Sequence, residues 1–104
     1  MPDSKPVEML VTYESKKGSE EAMQALVLKH WPALSELGLV TNEAAQIWKA
    51  TNIRTGAVSF VERFAWKEEG ASDIAHQSPE IMAIWEPMGP LLEQLTLQRV
   101  ETIS

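Results

Sequence analysis

The sequence predicts an α+β domain whose strands and helices follow the order β-α-β-β-α-β. Four segments are rich in β-branched and aromatic residues, and two segments repeat apolar residues at three- and four-residue steps. Turns containing glycine, proline or charged residues separate these segments. The chain has 104 residues, a common size for one domain, and 44% of them are hydrophobic. We therefore expect one domain over residues 1–104, with a loose leader at 1–6.

The first half of the chain predicts a strand followed by a long helix. Residues 7–13 (VEMLVTY) predict the strand because their odd positions are all apolar or aromatic. Ser19 is a favourable helix N-cap, and the apolar spacing after it predicts a helix over residues 19–37. Pro32 lacks a backbone N–H, so we expect it to kink the helix or split it after Trp31.

The second half predicts a hairpin, an interrupted helix and a last strand. Residues 44–50 and the strictly alternating residues 57–66 predict two neighbouring strands. A short helical piece is expected over residues 71–77. Ser78, followed by a proline and an acid, predicts that a new helix starts there with this serine as N-cap. Residues 95–103 predict the last strand.

This element order is the split βαβ arrangement of ferredoxin-like folds. Right-handed crossovers place both helices on one face of a four-stranded antiparallel sheet. The other face is expected to be substantially apolar on the first and third strands, and an uncovered apolar face commonly marks an interface. We therefore expect a homodimer in which two sheets pack face to face.

Charge and composition exclude several classes of function. The net charge is −6 and the few basic residues are scattered, which argues against nucleic acid and anionic membranes as partners. The chain has no cysteine, so disulfides and thiol chemistry are excluded. Neither a secretory signal nor an apolar run of ~18 residues is present, so we expect no membrane association and a cytoplasmic location.

Residues 64–92 (FAWKEEGASDIAHQSPEIMAIWEPMGPLL) carry a family resemblance. This segment resembles the antibiotic biosynthesis monooxygenase-like group of dimeric α/β barrels. The matching features are an aromatic residue ending the third strand, an Ala-His pair, a Ser-Pro helix restart, an apolar stripe and a Pro-Leu ending: Trp66, Ala75-His76, Ser78-Pro79, 81–85 and Pro90-Leu91. The resemblance implies a homodimer with a cavity between sheet and helices. It also implies an activity such as cofactor-independent monooxygenation of polyketide-like aromatic molecules.

One branch of this group degrades haem with an Asn, a Trp and a His. An ungapped comparison places those positions at Val11, Ala75 and Trp85, and none keeps the residue type. Many relatives also carry a histidine where this chain has Glu80. The resemblance therefore does not extend to haem degradation, and we expect no cofactor.

Two residues are candidates for proton transfer. His76 is expected near the cavity mouth, where it either shuttles a proton near neutral pH or caps backbone groups at the helix break. Glu62 shares a strand face with Phe60 and Phe64, and a carboxylate buried there is costly unless it is paired. It is therefore either a catalytic base, a salt bridge in the dimer, or an exposed strand end. Arg63 lies on the opposite strand face and is excluded as its direct partner.

Aromatic residues suggest where a ligand binds. Tyr13, Trp48, Trp66 and Trp85 could line a flat pocket that suits a planar molecule, but aromatic residues at regular strand and helix spacing are more often explained by core and dimer packing. His30 falls on the apolar face of the first helix and is interpreted as a core or boundary histidine. The two histidines of the chain are far apart in sequence, so no metal site is expected.

Two functions follow from these observations. The first is a cofactor-independent, monooxygenase-like enzyme acting on a small apolar or aromatic molecule, with His76 assisting proton transfer. The second is a non-catalytic barrel that binds a small ligand or serves as an interaction module. An open cavity with His76 or Glu62 projecting into it would favour the enzyme, whereas a pocket filled by tryptophan side chains would favour the second function.

Overall fold

The computed structural model describes residues 5–104, so the leader predicted for residues 1–6 lies mostly outside the described part. The chain forms these elements in order: β1 (Val7–Ser15), α1 (Glu20–Glu36), β2 (Gln46–Thr51), β3 (Val58–Trp66), α2 (Ala71–His76), α3 (Pro79–Met88) and, after a 3-10 turn at Gly89–Leu91, β4 (Leu92–Arg99). The four strands make one antiparallel sheet in the order β2-β3-β1-β4. This arrangement confirms the predicted α+β, ferredoxin-like fold.

The strand register decides which side chains form the core. Val11 pairs with Glu62 and Tyr13 pairs with Phe60, so the odd positions of β1 and the even positions of β3 share one sheet face. Side chains on this face pack against the buried faces of the helices. The buried apolar cluster consists of Val11, Tyr13, Met23, Val27, Leu34, Leu39, Val40, Phe60, Phe64, Trp66, Ala71, Ala75, Ile81, Ile84 and Met88.

The opposite sheet face is of mixed polarity. Its middle row crosses the sheet through Trp48, Val61, Thr12 and Thr96. On this face of strand β1, one apolar and one hydroxyl side chain lie between two glutamates: Glu8, Leu10, Thr12 and Glu14. The expectation of a substantially apolar outer face is therefore met only around Leu10, Trp48 and Val61.

Helix α1 continues through Pro32, so of the two predicted alternatives, a kink or a split after Trp31, the split is wrong. Buried residues lie on both sides of the proline, with His30 before it and Leu34 after it. Packing of both halves on the sheet compensates for the one backbone hydrogen bond that proline removes. Helix α1 is the longest helix of the described residues, with 17 residues. No helix within residues 5–104 is both long enough and apolar enough to cross a membrane.

Strand β4 begins and ends earlier than the sequence pattern predicts. It pairs with β1 from Ser15↔Leu92 to Met9↔Arg99, and the Val100 N–H still donates to the Glu8 carbonyl at 3.0 Å. Near this point β1 itself begins, at Val7, so residues 102 and 103 lie beyond the start of the strand they would pair with. The length of the partner strand, rather than local propensity, sets these bounds.

The predicted serine caps are in place by position but not by hydrogen bonding. Ser19 precedes α1 with a non-extended backbone, and its side chain makes no cap hydrogen bond. Ser78 precedes α3, but its hydroxyl donates backwards to the Ile74 carbonyl at 2.8 Å. At the other end of α1, Gly38 has a φ of +72° and closes the helix with a backbone bond to Ser35.

Candidate functional site

Three polar side chains meet inside the core. The Tyr13 hydroxyl donates to Oε1 of Glu62 at 2.6 Å. Nδ1 of His30 lies 2.9 Å from Oε1 and 3.1 Å from Oε2 of the same carboxylate. Glu62 is completely buried, and Tyr13 and His30 are each only 3% exposed. We call these residues the buried triad.

The fold brings the buried triad together from three elements. Tyr13 and Glu62 lie on adjacent strands, on the face that packs against the helices. His30 lies on the buried stripe of α1, between Val27 and Leu34 in the sequence. The helical spacing that directs these residues inward therefore also directs the imidazole at the sheet.

Hydrogen-bond chemistry sets the state of the His30 ring. An ionised carboxylate only accepts hydrogen bonds, so Nδ1 of His30 must carry the hydrogen that it shares with Glu62. In the neutral ring Nε2 is then an acceptor. Nε2 is buried and has no hydrogen-bond partner within the described residues. Such an unsatisfied buried atom calls for an explanation, of which a bound molecule is one.

The Tyr13 phenol is held in its neutral form. Burial raises the pKa of Tyr13 well above its usual value of 10, and the adjacent carboxylate of Glu62 raises it further by repulsion and by accepting the phenolic hydrogen. The Tyr13 hydroxyl therefore keeps its hydrogen and remains a hydrogen-bond donor to Glu62. Its 3.4 Å contact with Nδ1 of His30 adds little, because both groups donate to Glu62.

An apolar cavity of about 270 Å³ adjoins the buried triad. It is lined by Met9, Val11, Tyr13, His30, Phe64, Trp66, Ser72, His76, Trp85, Met88, Leu92, Leu95 and Leu97. No Lys, Arg, Asp or Glu side chain is among these residues. The volume is slightly below the range of roughly 300–1,000 Å³ typical of drug-sized ligands, so the cavity suits a smaller molecule.

Aromatic rings form one wall of this cavity. The Phe64 and Trp66 rings meet edge to face, with centroids 5.0 Å apart. The Trp85 ring lies 5.8 Å from His30 and 4.8 Å from His76, measured between centroids. Trp85 therefore contacts both histidines, the buried one and the exposed one.

His76 is anchored at the rim of the cavity. Its Nδ1 lies 2.7 Å from the Ser72 carbonyl oxygen, one turn earlier in α2. A carbonyl only accepts, so Nδ1 carries the hydrogen, and Nε2 of the neutral ring is again an acceptor. The side chain is exposed to solvent. His76 thus joins the cavity to the surface.

Of the residues predicted to bind a ligand or to transfer a proton, some line the cavity and others do not. Tyr13, Trp66, Trp85 and His76 all line the cavity. The prediction that Trp48 lines the same pocket is wrong, because its pairing with Val61 places it on the outer sheet face, where it is 47% exposed.

Glu62 lies behind the cavity and does not line it. The alternatives of an intersubunit salt bridge and of an exposed strand end are both wrong, since its partners Tyr13 and His30 belong to its own chain and bury it. A catalytic role for this carboxylate would therefore be exerted through His30 and not by direct contact with a ligand.

His30 is the residue whose importance the sequence did not reveal. Its place on an apolar helix face is typical of a core histidine, and it is indeed buried. The sequence nevertheless contained an indication of its role. Glu62 lies between apolar strand positions, and a carboxylate buried there requires a polar partner. A histidine on the helix that covers the same sheet face is the natural candidate.

Other hollows on the molecule are more polar and do not adjoin the triad. One of about 360 Å³ is lined by Glu8, Glu43 and Arg63 among others, and one of about 530 Å³ is lined mainly by charged residues near Lys5 and Arg99. The first is also lined by Thr41, whose buried hydroxyl has no hydrogen-bond partner within the described residues, but a hydroxyl is not a proton acceptor comparable to an imidazole. Within residues 5–104 no cluster of three metal-ligating side chains is present.

Comparison with known proteins supports the fold. A structure of Rv0793 from Mycobacterium tuberculosis superposes with a TM-score of 0.69 at 15% identity, covering 96% of this chain and 97% of that one. A Bacteroides thetaiotaomicron protein, provisionally named an antibiotic biosynthesis monooxygenase, gives 0.70 at 16% identity over 96% and 91% of the two chains. Another from the same species, described as of unknown function and a possible oxidoreductase, gives 0.73 at 9% identity over 94% and 100%.

Neither a family model nor a curated protein sequence matches this chain. At such low identities the structural matches establish the shape of the chain and leave its chemistry open. The resemblance to antibiotic biosynthesis monooxygenase-like proteins is confirmed for the fold: this chain has the same four-stranded sheet with helices on one face.

Proposed function

We propose that this chain is a cofactor-independent, monooxygenase-like enzyme that binds a small aromatic molecule in the apolar cavity and removes a proton from it with His30. One observation carries the proposal: Nε2 of His30 is buried without a hydrogen-bond partner within the described residues, in a residue that borders an apolar cavity. The opposite nitrogen of the same ring is held by a buried carboxylate.

The buried triad is arranged for proton transfer. A phenolic O–H, or a methylene activated by a neighbouring carbonyl, would donate to Nε2 of His30, and the imidazole would become positively charged on taking the proton. Glu62 then stabilises that charge and keeps the ring in the required tautomer, as the carboxylate does in serine hydrolases. Tyr13 holds the carboxylate in place with its short hydrogen bond.

The oxygen step rests on the fold resemblance alone. The substrate anion would supply the electrons to molecular oxygen. When an activated methylene becomes a carbonyl, one oxygen atom enters the product and the other leaves as water, with four electrons taken from the substrate. His30 would return the substrate-derived proton to the reduced oxygen during this step.

Access to His30 requires a local movement. Nε2 of His30 is shielded from solvent, and the indole of Trp85 contacts this imidazole. Trp85 is only partly buried, and exposed Leu95 and Leu97 form part of the same cavity wall. A rotation of the Trp85 side chain would open the cavity without unfolding either helix.

Proton abstraction is tested separately from oxygen chemistry. The probe is β-tetralone, a two-ring ketone with an activated methylene, whose exchange in heavy water is followed by NMR without oxygen. We expect the wild-type protein to accelerate exchange, His30→Gln to abolish the effect, and Glu62→Gln to reduce it by roughly 100-fold with little change in ligand binding. Exchange no faster than in buffer would contradict the proton-transfer role. Oxygen uptake with the same ketone then tests the oxygenase step.

The homodimer is also part of the proposal. Trp48 is 47% exposed and pairs with Val61 on the outer sheet face, and Leu10 lies on the same face two strands away. A second copy that covered this face would bury these side chains. Sedimentation should show a dimer for the wild type and a monomer for Trp48→Glu. A wild-type monomer at micromolar concentration would exclude this mode of assembly.

A non-catalytic ligand-binding protein is the second candidate. The shielding of Nε2 of His30 and the edge-to-face packing of His30 against Phe64 favour it, since both describe a closed site. The distinguishing result is binding of a small phenol by calorimetry combined with no exchange of the ketone.

A further inference from the structure

We propose that the cavity selects a neutral, flat aromatic molecule with two hydrogen-bond donors, one bound by His30 and the other by His76. This inference rests on the proposed function, because it assumes that the cavity is occupied by a small molecule. It adds a second recognition residue and a chemical class of ligand.

The two histidines contribute acceptor nitrogens to the cavity wall, whereas the indole N–H groups of Trp66 and Trp85 are donors on the same wall. His30 gives its Nδ1 hydrogen to Glu62, and His76 gives its own to the Ser72 carbonyl at 2.7 Å. The two neutral rings therefore both present Nε2 as an acceptor. The Tyr13 hydroxyl is already committed to Glu62. A molecule that forms hydrogen bonds with both of these nitrogens must bring two donors.

The two acceptors border one aromatic surface. His30 and His76 both contact the indole of Trp85, at 5.8 and 4.8 Å between ring centroids. Both histidines also line the same cavity of about 270 Å³. A rigid molecule of two fused rings that stacks on the aromatic side chains of this cavity would lie next to both imidazoles.

The charge of the site excludes anions. No Lys or Arg lines the cavity, and the carboxylate of Glu62 lies directly behind His30. A ligand carboxylate or phosphate would lose its hydration there without gaining a cation. The protein as a whole carries a net charge of −6, which repels anions further. The preferred ligand is consequently neutral.

The two anchors differ in environment. His30 is 3% exposed, so its bond to a ligand donor would form away from water. His76 is exposed, so its bond competes with solvent and contributes less. We therefore expect the first donor to decide whether a ligand binds and the second to adjust its affinity.

The experiment is a calorimetric binding series on two-ring probes. It compares 2-naphthol with naphthalene, and each of three dihydroxynaphthalenes (1,5, 2,6 and 2,7) with its monomethyl ether, which keeps the size but removes one donor. We expect 2-naphthol to bind about tenfold more tightly than naphthalene, and at least one diol to bind roughly three- to tenfold more tightly than its ether. We expect 6-hydroxy-2-naphthoic acid to bind more weakly than 2-naphthol.

Matched variants assign the second donor to His76. His76→Phe keeps a ring against Trp85 but removes the acceptor nitrogen, so the advantage of the diol over its ether should vanish while 2-naphthol still binds. Gln77→Ala, an exposed neighbour that does not line the cavity, should leave the advantage unchanged. Ser72→Ala keeps the carbonyl that holds His76 but removes a hydroxyl that lines the cavity, so it shows whether that hydroxyl receives the second donor in place of His76; we expect the advantage of the diol to remain.

The failures of the two proposals are distinguishable. If 2-naphthol binds but no diol exceeds its ether, the two-donor inference is overturned and the proposed function stands. The same holds if the advantage survives in His76→Phe or disappears in Ser72→Ala. If neither 2-naphthol nor any diol binds the wild-type protein, the proposed function falls together with this inference.

Discussion

Glu62 and Arg63 are consecutive residues of β3, and each has a charged side chain that contacts a polar partner, but the two contacts lie in opposite environments. Glu62 faces the helices, is completely buried, and is held by His30 and Tyr13 at 2.9 and 2.6 Å. Arg63 faces outward and lies 3.2 Å from the carboxylate of Glu8, with the two side chains 44% and 38% exposed. Strand parity alone sends the two charges to opposite sides of the sheet.

The difference shows how burial changes the value of similar contacts. Water and salt screen the Arg63–Glu8 pair, and such surface pairs typically contribute only about 0–1 kcal/mol. The carboxylate of Glu62 has lost its hydration and depends on its two protein donors. Removing one member of such a cluster leaves the others buried without partners, which costs far more than the contact itself contributes.

The largest effect is expected for Glu62→Ala. This change leaves the Tyr13 hydroxyl and Nδ1 of His30 without an acceptor and opens a small cavity. We expect the free energy of unfolding to fall by about 3–5 kcal/mol, measured by urea denaturation. Arg63→Ala, one residue away, is the matched control and should cost less than ~1 kcal/mol. Equal losses for the two variants would refute the comparison.

A smaller effect is expected for Tyr13→Phe. The ring and its packing remain, but Glu62 loses one of its two donors. Hydrogen bonds to charged groups contribute about 1.5–3 kcal/mol, and we expect a loss of stability in that range. Combining Tyr13→Phe with Glu62→Gln should cost less than the sum of the two single changes, because the residues share one network. Additive costs in this double-mutant cycle would mean that the hydrogen bond is not energetically coupled.

The same tyrosine makes stability dependent on alkaline pH. Because the pKa of Tyr13 is raised in the folded state, the unfolded chain ionises first as pH increases. The contribution is fully present below the unfolded value of 10 and declines above it, by about 1.4 kcal/mol per pH unit until the folded pKa is reached. The Tyr13→Phe variant should lack this decline. Its own stability at each pH therefore serves as the reference that accounts for the titration of lysines.

The chain has a single tyrosine, so ultraviolet absorption of phenolate reports Tyr13 alone. The folded protein should show no phenolate signal near pH 10, whereas the urea-unfolded chain should be about half ionised. Coincident titration curves for the two states would show that the phenol is not protected by burial.

The smallest effect concerns the exposed pair. We expect the coupling energy between Glu8 and Arg63, from a double-mutant cycle with glutamine at each position, to be below about 1 kcal/mol. Raising the salt concentration to 1 M should reduce it further, since screening then acts over ~3 Å. The stability lost in Glu62→Ala should change little with salt. A strong salt dependence of that variant would indicate that water reaches the triad.

Much of the fold could be predicted from the sequence because it depends on local periodicity. The alternation at residues 57–66 indicated β3 and its two faces, and the glycine at 38 indicated the end of α1. Predictions failed where a distant partner decides the outcome. Pro32 is tolerated because both halves of its helix are packed, and β4 ends at Arg99 because its partner strand β1 begins only two residues before Met9, the residue paired with Arg99.

For the candidate site, the sequence by itself determined which residues are available: one tyrosine, two histidines, no cysteine, and a glutamate placed between apolar strand positions. Periodicity further determined that Glu62 and His30 face inward, since each lies on the apolar side of its element. It did not determine that they meet, because periodicity specifies a face of an element and says nothing about the residue packed against that face.

Only the tertiary structure decided the partners. Residues 13, 30 and 62 are separated by 17 and 32 positions in the chain, and they meet because strand register and the packing of α1 bring them to one point. The same register removed Trp48 from the pocket and left His76 at its rim. Contact between elements is set by the three-dimensional packing of side-chain volumes, which local spacing along the chain does not encode.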